Sequence, residues 1–476
     1  MPAEALPGEC HFEILPLSSR IGLSEFTTMR VLVTGGTLFF SRMLVQGFAR
    51  HGAQVTVADS RLVSTGKLSR FTSRRLRTPV LAHDPQGYVQ ALLTELRRER
   101  YDLIAPTFEE SLLLAEYGGQ LREWTQLLLP SHETMMSVHH KPSLYRLCDE
   151  LAIPAPTSVA PRTPAELEQV IPGLRFPVIL KLPAGNNSLG LTHAGNANEL
   201  LTRFSQLSAQ AERWGAEIPL VQEAIDGEPV YTLMYCHQGR KLGEVLYRPL
   251  RTFPTRQGTS AHRIAIEHPE IAASSKKLAA ATGWTGFLGL DFLVDRQTGI
   301  PYLIDANPRP NPGITLGELS GIDWTRFQID LLEGKEPAPA ASRTGSRDRS
   351  WLLDFAWLFD DQKFDWRWPA RFVGRLRELN AMRPLLTPWK GILKSDLPAD
   401  LGLWWQLTRA IFESRLTGEG IGYALLRESN YAVPVAAIPQ ATTGIRRAQI
   451  RIDLGRGTIP MPHQPVETPI RVQDAA

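Results

Sequence analysis

Residues 286–309 read GFLGLDFLVDRQTGIPYLIDANPR, and the fold is decided here. Two runs alternate with a period of two, the pattern of paired strands. Leu290, Phe292 and Val294 share one face of the first run, and Tyr302, Ile304 and Ala306 share a face of the second. Setting Val294 against Tyr302 and Phe292 against Ile304 buries both sets. It leaves Arg296 to Ile300 as a five-residue loop containing Gly299, an ordinary hairpin length. The same register sets Asp291 opposite Asp305 and Gly289 opposite Asn307.

Opposed carboxylates on neighbouring strands lie roughly 5 Å apart at Cβ and repel. A cation between them, or a proton on one, relieves this. Two Asp and an Asn make an all-oxygen set suited to magnesium; calcium fits less well, because no EF-hand-like acidic spacing surrounds the pair. The plainer reading, a solvated acidic hairpin, conflicts with apolar neighbours on both strands. Arg309, between Pro308 and Pro310, sits on a stiffened loop where a guanidinium can meet a phosphate or developing oxyanion, its plainer use being a surface ion pair.

Working outward, KLPAGNNSLGL (181–191) follows a strand and sets Lys181 beside Gly185, Ser188 and Gly190, a flexible loop whose amides can close over phosphates. Gly-Asn-Asn is also ordinary turn chemistry. The chain has no Walker A sequence, since Thr65-Gly66-Lys67 is followed by Leu68. Residues 29–130 alternate short Val/Ile/Leu runs (RVLVTGG, AQVTVADS, YDLIAPT) with helical patterns, including a helix from about Ser41 to His51, which predicts a buried parallel sheet. From 131 to 335 helices mix with hairpins, one turning near Gln238-Gly239; a lid unit spans about 150–225. A Pro, Ala, Ser and Arg-rich linker at 336–349 leads to an accessory region, 350–476. Seven of its residues from Trp351 to Trp405 are tryptophans, expected to form a small aromatic core on the main body. Residues 1–28 read as a loose extension or a start mis-assigned ahead of Met29.

The whole chain has 476 residues, 43% hydrophobic and 21% charged, with a formal charge of +3. This excludes a nucleic-acid footprint: the basic runs Arg70–Arg77 and Arg97–Arg100 read as solvated faces. Three separated cysteines argue against a disulfide scaffold or structural zinc. No apolar run reaches the roughly 20 residues of a membrane span, and no secretory leader is evident. The expectation is a cytoplasmic protein without membrane partners.

Together these motifs resemble the ATP-grasp superfamily over about residues 30–335, and within it the carboxylate–amine (amino-acid) ligases. The resemblance implies an α/β, Rossmann-like N-terminal domain followed by an α+β ATP-grasp domain, with an extra C-terminal region. HKPSLYRLCDELAIPAPTSV looks like the opening of the ATP-grasp core, making Lys141 the first ATP-contacting lysine. VILKLPAGNNSLGL makes Lys181 the second, with Gly185, Ser188 and Gly190 over the phosphates. PLVQEAIDGEPV looks like the hinge that meets adenine, around Glu223, Ala224 and Ile225. LDFLV and LIDANPRPNPG give Asp291, Asp305 and Asn307 as magnesium ligands, with manganese as a substitute, and Arg309 as the phosphate arginine. The sequence departs from the pattern at Asp305, often Glu; at Asn187, commonly Gly; and at Pro229, where the ribose acid usually falls, leaving Glu228 for the ribose.

The implied reaction is transfer of the γ-phosphoryl group to a small carboxylate, then attack by an amine, with Lys181 and Arg309 steadying the transferring group. Arg248 and Arg263, among four arginines of EVLYRPLRTFPTRQGTSAHRIAIEH, are candidates to clasp the substrate carboxylate. Glu109, in the acidic pair at the mouth of the parallel sheet, is a candidate to grip the amine, against capping the next helix. A homodimer is compatible with this reading. Alternatives are a carboxylase or carbamoyl-type enzyme using bicarbonate, a catalytically silent ATP-binding regulator, and a dinucleotide-dependent oxidoreductase prompted by VTGG and Asp59. The last lacks the third spaced glycine of G-x-G-x-x-G.

Overall fold

Three sheets carry the molecule. The computed structural model describes residues 28–38, 41–184, 191–213, 215–253, 259–350, 353–354, 357–358, 367–381, 396–417 and 424. Strands β1 (Arg30–Thr34), β2 (Gln54–Asp59), β3 (Thr72–Arg77) and β4 (Leu103–Ala105) form a parallel sheet in the order β3-β2-β1-β4. Val31, Leu32, Val33, Val55 and Val57 are fully buried, as strands with helices on both faces require. The helix Ser41–Arg50 matches its expected span to within one residue.

A small antiparallel sheet follows: β5 (Ser158–Val159), β6 (Val178–Lys181), β7 (Thr192–Ala194) and β8 (Leu220–Glu223), in the order β5-β8-β6-β7. Its own core packs Leu180, Val221, Leu200 and Phe204 together. The third sheet is the largest. Strands β9 (Gly227–His237), β10 (Arg240–Phe253), β11 (Thr259–Ile266), β12 (Gly286–Asp295) and β13 (Pro301–Asn307) run β13-β12-β9-β10-β11. Gln238 and Gly239, both with positive φ, make the turn between β9 and β10. Two short strands, β14 (Ala340–Ala341) against β10 and β15 (Arg347–Arg349) against β11, come from the stretch expected to be a linker. In β14 two alanines allow a close approach, and in β15 the buried Asp348 pairs with Arg263 of β11, neither of which composition alone reveals.

The β12–β13 register holds at its base and fails towards its tip. Gly289 pairs with Asn307 and Asp291 with Asp305, as expected, but Phe292 pairs with Leu303, Leu293 with Tyr302 and Val294 with Pro301. The expected pairs Phe292–Ile304 and Val294–Tyr302 do not form. The reason is a bulge just before Asp305, at Ile304: Leu303 and Ala306, three residues apart, are both fully buried. Strict alternation cannot put both on one face, so one extra residue, Ile304, is inserted between them.

Beyond Arg349, Leu353, Trp357, Leu358, Leu379, Leu403 and Leu407 join Phe253 and Ala261 of the large sheet in one cluster. Of the seven tryptophans expected in an aromatic core, Trp357 alone is buried among the described residues, while Trp404 and Trp405 are exposed. Trp351, Trp366 and Trp389 lie outside the described residues. The helix Leu397–Thr417 seats its start on the N-terminal unit. Asp396, fully buried, accepts from Gln46 Nε2 (2.9 Å), Ser69 Oγ (2.6 Å) and the Arg70 amide (3.0 Å). No described helix is long and apolar enough to cross a membrane.

Candidate active site

The base of the β12–β13 hairpin meets two lysines. Lys141, at the start of the helix Lys141–Glu150, places Nζ 3.1 Å from Asp305 Oδ1. Lys181, at the end of β6, donates from Nζ to the Ile304 carbonyl (3.1 Å), and Tyr145 Oη donates to the same oxygen (2.8 Å). The Lys181 ammonium also lies 5.4 Å from the centre of the Tyr145 ring, within cation–π range. The bulge residue thus ties the small sheet and the helix to β13 through one backbone oxygen. Tyr145 was not singled out from the sequence; its place one helical turn beyond Lys141 was the available signal.

Burial pushes the Asp291 carboxyl up to about 7, and Asp305 opposite pushes the same way, against Arg309, Lys141 and Lys181. Asp305 goes the other way: burial would raise it, but Lys141 and Lys181 beside it hold it below the usual carboxylate range. Burial, with Lys141 adding to it, lowers Lys181 to about 7. Among the described residues no hydrogen bond or ion pair reaches the Asp291 carboxylate or the Asn307 side chain. A half-buried acid without protein donors, opposite a second acid and an amide, is a donor set that fits a hard divalent cation. No cluster of three or more His, Cys, Asp or Glu able to hold a metal occurs among the described residues. A cation here would therefore rest on Asp291, Asp305 and Asn307, with the remaining oxygens from phosphate or water.

Arg309 is almost fully buried, not a surface arginine. Its Nε donates to Glu109 Oε1 (2.6 Å), its guanidinium lies 4.1 Å above the Phe108 ring, and Ser111 Oγ donates to the neighbouring Pro308 carbonyl (3.2 Å). Glu109 is itself 1% exposed, so it holds Arg309 and is not open to an amine. Arg263, fully buried, donates from Nε to Asp348 Oδ2 (2.8 Å) and is spent in an ion pair with β15. Arg248 is exposed and follows Tyr247, whose row runs through Tyr231 to Asp291, so alternation puts it on the opposite face. Neither arginine is brought to the hairpin base as a carboxylate clasp.

At the hinge, the Glu223 amide donates to the Thr157 carbonyl (2.9 Å) and the Ala224 amide to the Pro177 carbonyl (3.2 Å), so both are committed; Ile225 follows, half-buried. Glu228 is exposed and 3.0 Å from Arg296 at the hairpin tip. Gly185, Asn187, Ser188 and Gly190 lie outside the described residues.

The mouth of the parallel sheet is filled by its own side chains. Gly35 has φ +67°, and a Cβ there would come within 2.4 Å of Thr107 Oγ1 and 2.7 Å of Glu110 Oε1. Glu110 accepts from Thr34 Oγ1 (2.8 Å), the Thr107 amide (2.9 Å) and the Phe108 amide (3.2 Å). Asp59 accepts from Thr37 Oγ1 (2.8 Å) and the Arg61 amide (2.7 Å). The glycines make room for Glu110, and Asp59 closes its own turn, which removes the observations behind a dinucleotide reading.

No family model matches the chain. The biotin carboxylase of Campylobacter jejuni, solved with a β,γ-ATP ligand, superposes with a TM-score of 0.56 at 17% identity, covering 65% of this chain and 72% of that one. The L-amino acid ligase of Bacillus licheniformis gives 0.51 at 17% identity, over 64% and 74%. The fold is that of the ATP-grasp superfamily. A third ATP-grasp structure, the biotin carboxylase domain dimer of Hydrogenobacter thermophilus 2-oxoglutarate carboxylase with MgADP, ADP and bicarbonate, gives 0.55 at 17% identity, over 67% and 73%. By sequence, the uncharacterized protein y4rH of Sinorhizobium fredii is 23% identical over 337 residues, 64% of this chain and 70% of the relative. The D-alanine–D-alanine ligase of Methylococcus capsulatus is 26% identical over 196 residues, 38% of this chain and 61% of the ligase.

Proposed function

We propose that the chain is an ATP-dependent carboxylate–amine ligase that forms an amide or peptide bond and releases ADP and phosphate. The observation that carries this reading is the hairpin base: two opposed carboxylates, one without any protein donor, faced by two buried lysines. An acid left without a donor beside that ion pair suits a cation and its polyphosphate better than it suits the empty fold.

In this reading Lys141 and Lys181 hold the nucleotide phosphates, and the loop containing Gly185, Ser188 and Gly190 covers them. The segment Glu223–Ile225 borders the base. Asp291, Asp305 and Asn307 would hold magnesium, or manganese in its place, which when bound would neutralise charge on the phosphates. The substrate carboxylate attacks the γ-phosphorus and ADP leaves. The amine nitrogen then attacks the acyl carbon, the phosphate leaves, and the amine gives up a proton. Arg309, fixed by Glu109 and Phe108, faces the transferring group from a pre-ordered position, which lowers the cost of organising charge. The units fall at about 29–130 and 131–335, with residues 350–476 as an accessory region; small-molecule acids and amines are the partners.

A second reading, carboxylation with bicarbonate, is favoured by one observation: the biotin carboxylases superpose at 0.55 to 0.56, against 0.51 for the amino-acid ligase. One experiment separates them. The full chain with Mg-ATP and a panel of amino acids and amines should release ADP and phosphate only with a matched acid–amine pair. Bicarbonate-driven ADP release without an amine would replace the ligase reading, and release of AMP and pyrophosphate would remove the acyl-phosphate route.

A further inference from the structure

His139 ends the helix His132–His139, two residues before Lys141, and was passed over in the sequence. Its side chain is 3% exposed, and its Nδ1 is buried with no hydrogen-bond partner. Leaving a buried polar atom unpaired costs about 1–3 kcal/mol, so a folded protein keeps one where something else will meet it. The adjacent His140 shows the contrast. Its Nδ1 pairs with Ser143 Oγ (2.8 Å) and its Nε2 with Glu217 Oε2 (2.9 Å), so it is fully used by the fold.

The charged groups around His139 are Glu109, Lys141, Asp305 and Arg309. These form two ion pairs, Arg309–Glu109 and Lys141–Asp305, from different parts of the molecule. The imidazole therefore stands where the N-terminal unit meets the metal hairpin. Burial pushes it down to about 4, with Lys141 and Arg309 adding to the effect against Glu109 and Asp305, so the ring is neutral at physiological pH. His262 is another deeply buried histidine with an unpartnered Nδ1, but the groups around it include Asp354, Arg251 and Arg349, which are paired with one another on the far strands.

We infer that His139 is a substrate-binding residue of the acceptor side, its free ring nitrogen accepting a hydrogen bond from the N–H of the incoming amine. Of the charges around His139, Glu109 acts on it most strongly, ahead of Lys141, Asp305 and Arg309. The unpartnered Nδ1, in the tautomer that leaves it unprotonated, is a single acceptor, which an N–H satisfies and an anionic carboxylate does not. This rests on the ligase reading and names the chemistry of its second substrate.

The test uses the full chain with methylamine as the amine probe, following the histidine imidazole nitrogens by NMR in the presence of Mg-ADP. The His139 signal is identified by its loss in His139→Asn. It should move with methylamine and saturate, and stay in place with Mg-ADP alone. Movement with Mg-ADP alone, movement with bicarbonate but not methylamine, or no movement at all each overturns the assignment. Kinetically, His139→Leu should raise the KM of the productive amine by about tenfold or more, the worth of one hydrogen bond, while Mg-ADP affinity stays within about twofold. His139→Asn, which keeps an acceptor near Nδ1, should recover most of that loss; equal damage in both variants would make the residue a packing element. Failure of the ligase reading appears separately, as bicarbonate-driven ADP release by the unaltered protein, whatever the imidazole does.

Discussion

The mouth of the parallel sheet buries its carboxylates and the base of the β12–β13 hairpin half-buries its own, and the two treat them in opposite ways. Glu110 and Asp59 collect donors from their own turns, from Thr34 at the end of β1 and from Thr37 just beyond it, until little remains for a ligand to satisfy. Asp291 receives no donor, Asp305 shares one lysine, and His139 keeps a bare nitrogen. A buried acid that the fold has fully bonded is architecture; one left facing its like is a vacancy for something charged. Without the hydrogen bonds, the glycine-rich turn after β1 and the hairpin look equally functional.

Substitutions can break that contrast. The largest effect should come from Asp305→Asn, which should lower acid- and amine-dependent ADP release by about a thousandfold, the scale of losing a transition-state electrostatic contact. Near-normal turnover would remove Asp305 from the site. Glu110→Ala should behave oppositely. Three buried donors lose their acceptor, so urea unfolding should show a loss of about 3 kcal/mol or more, with turnover per folded molecule kept. A stable but inactive Glu110→Ala would mean that the sheet mouth is a site after all.

Asp291→Asn sharpens the comparison further. The stability that Asp291 owes to its retained proton is complete below the unfolded-chain value near 4 and is lost as pH rises through about 7. The amide should therefore stabilise the nucleotide-free protein by about 1 kcal/mol at pH 8, with the gain vanishing below about pH 5, while abolishing turnover. A destabilised variant at pH 8 would mean that the carboxylate is satisfied in a way its surroundings do not show. The smallest effect is expected at Arg248, exposed on the other face of the sheet: Arg248→Ala should change turnover by less than about twofold. A larger fall in ADP release would return that arginine to the acceptor side.

Much of this was legible in the sequence because local pattern determined it. Alternation gave the strands, and Gln238-Gly239 and the five residues 296–300 made the expected turns. The pairing of Asp291 with Asp305 followed because Gly289 and Asn307 anchor that end of the hairpin. The bulge at Ile304 was not legible, since it answers to which side of β13 packs against Phe292, a tertiary fact. Nor were the partners of Glu109 and Arg263: an arginine 200 positions from its glutamate leaves no periodic trace. His139 was hidden for the same reason, because an unpaired nitrogen is defined by what fails to surround it.

The seat of Asp396 bears on how the molecule carries load. Composition marks 336–349 as a seam where the chain could be cut. Yet Asp396 is gripped by Gln46, Ser69 and the Arg70 backbone, and Leu403 and Leu407 pack on Phe253 and Ala261 of the large sheet. Force applied at the end of the helix Leu397–Thr417 would reach both units at once and in parallel, so this helix acts as a cross-brace.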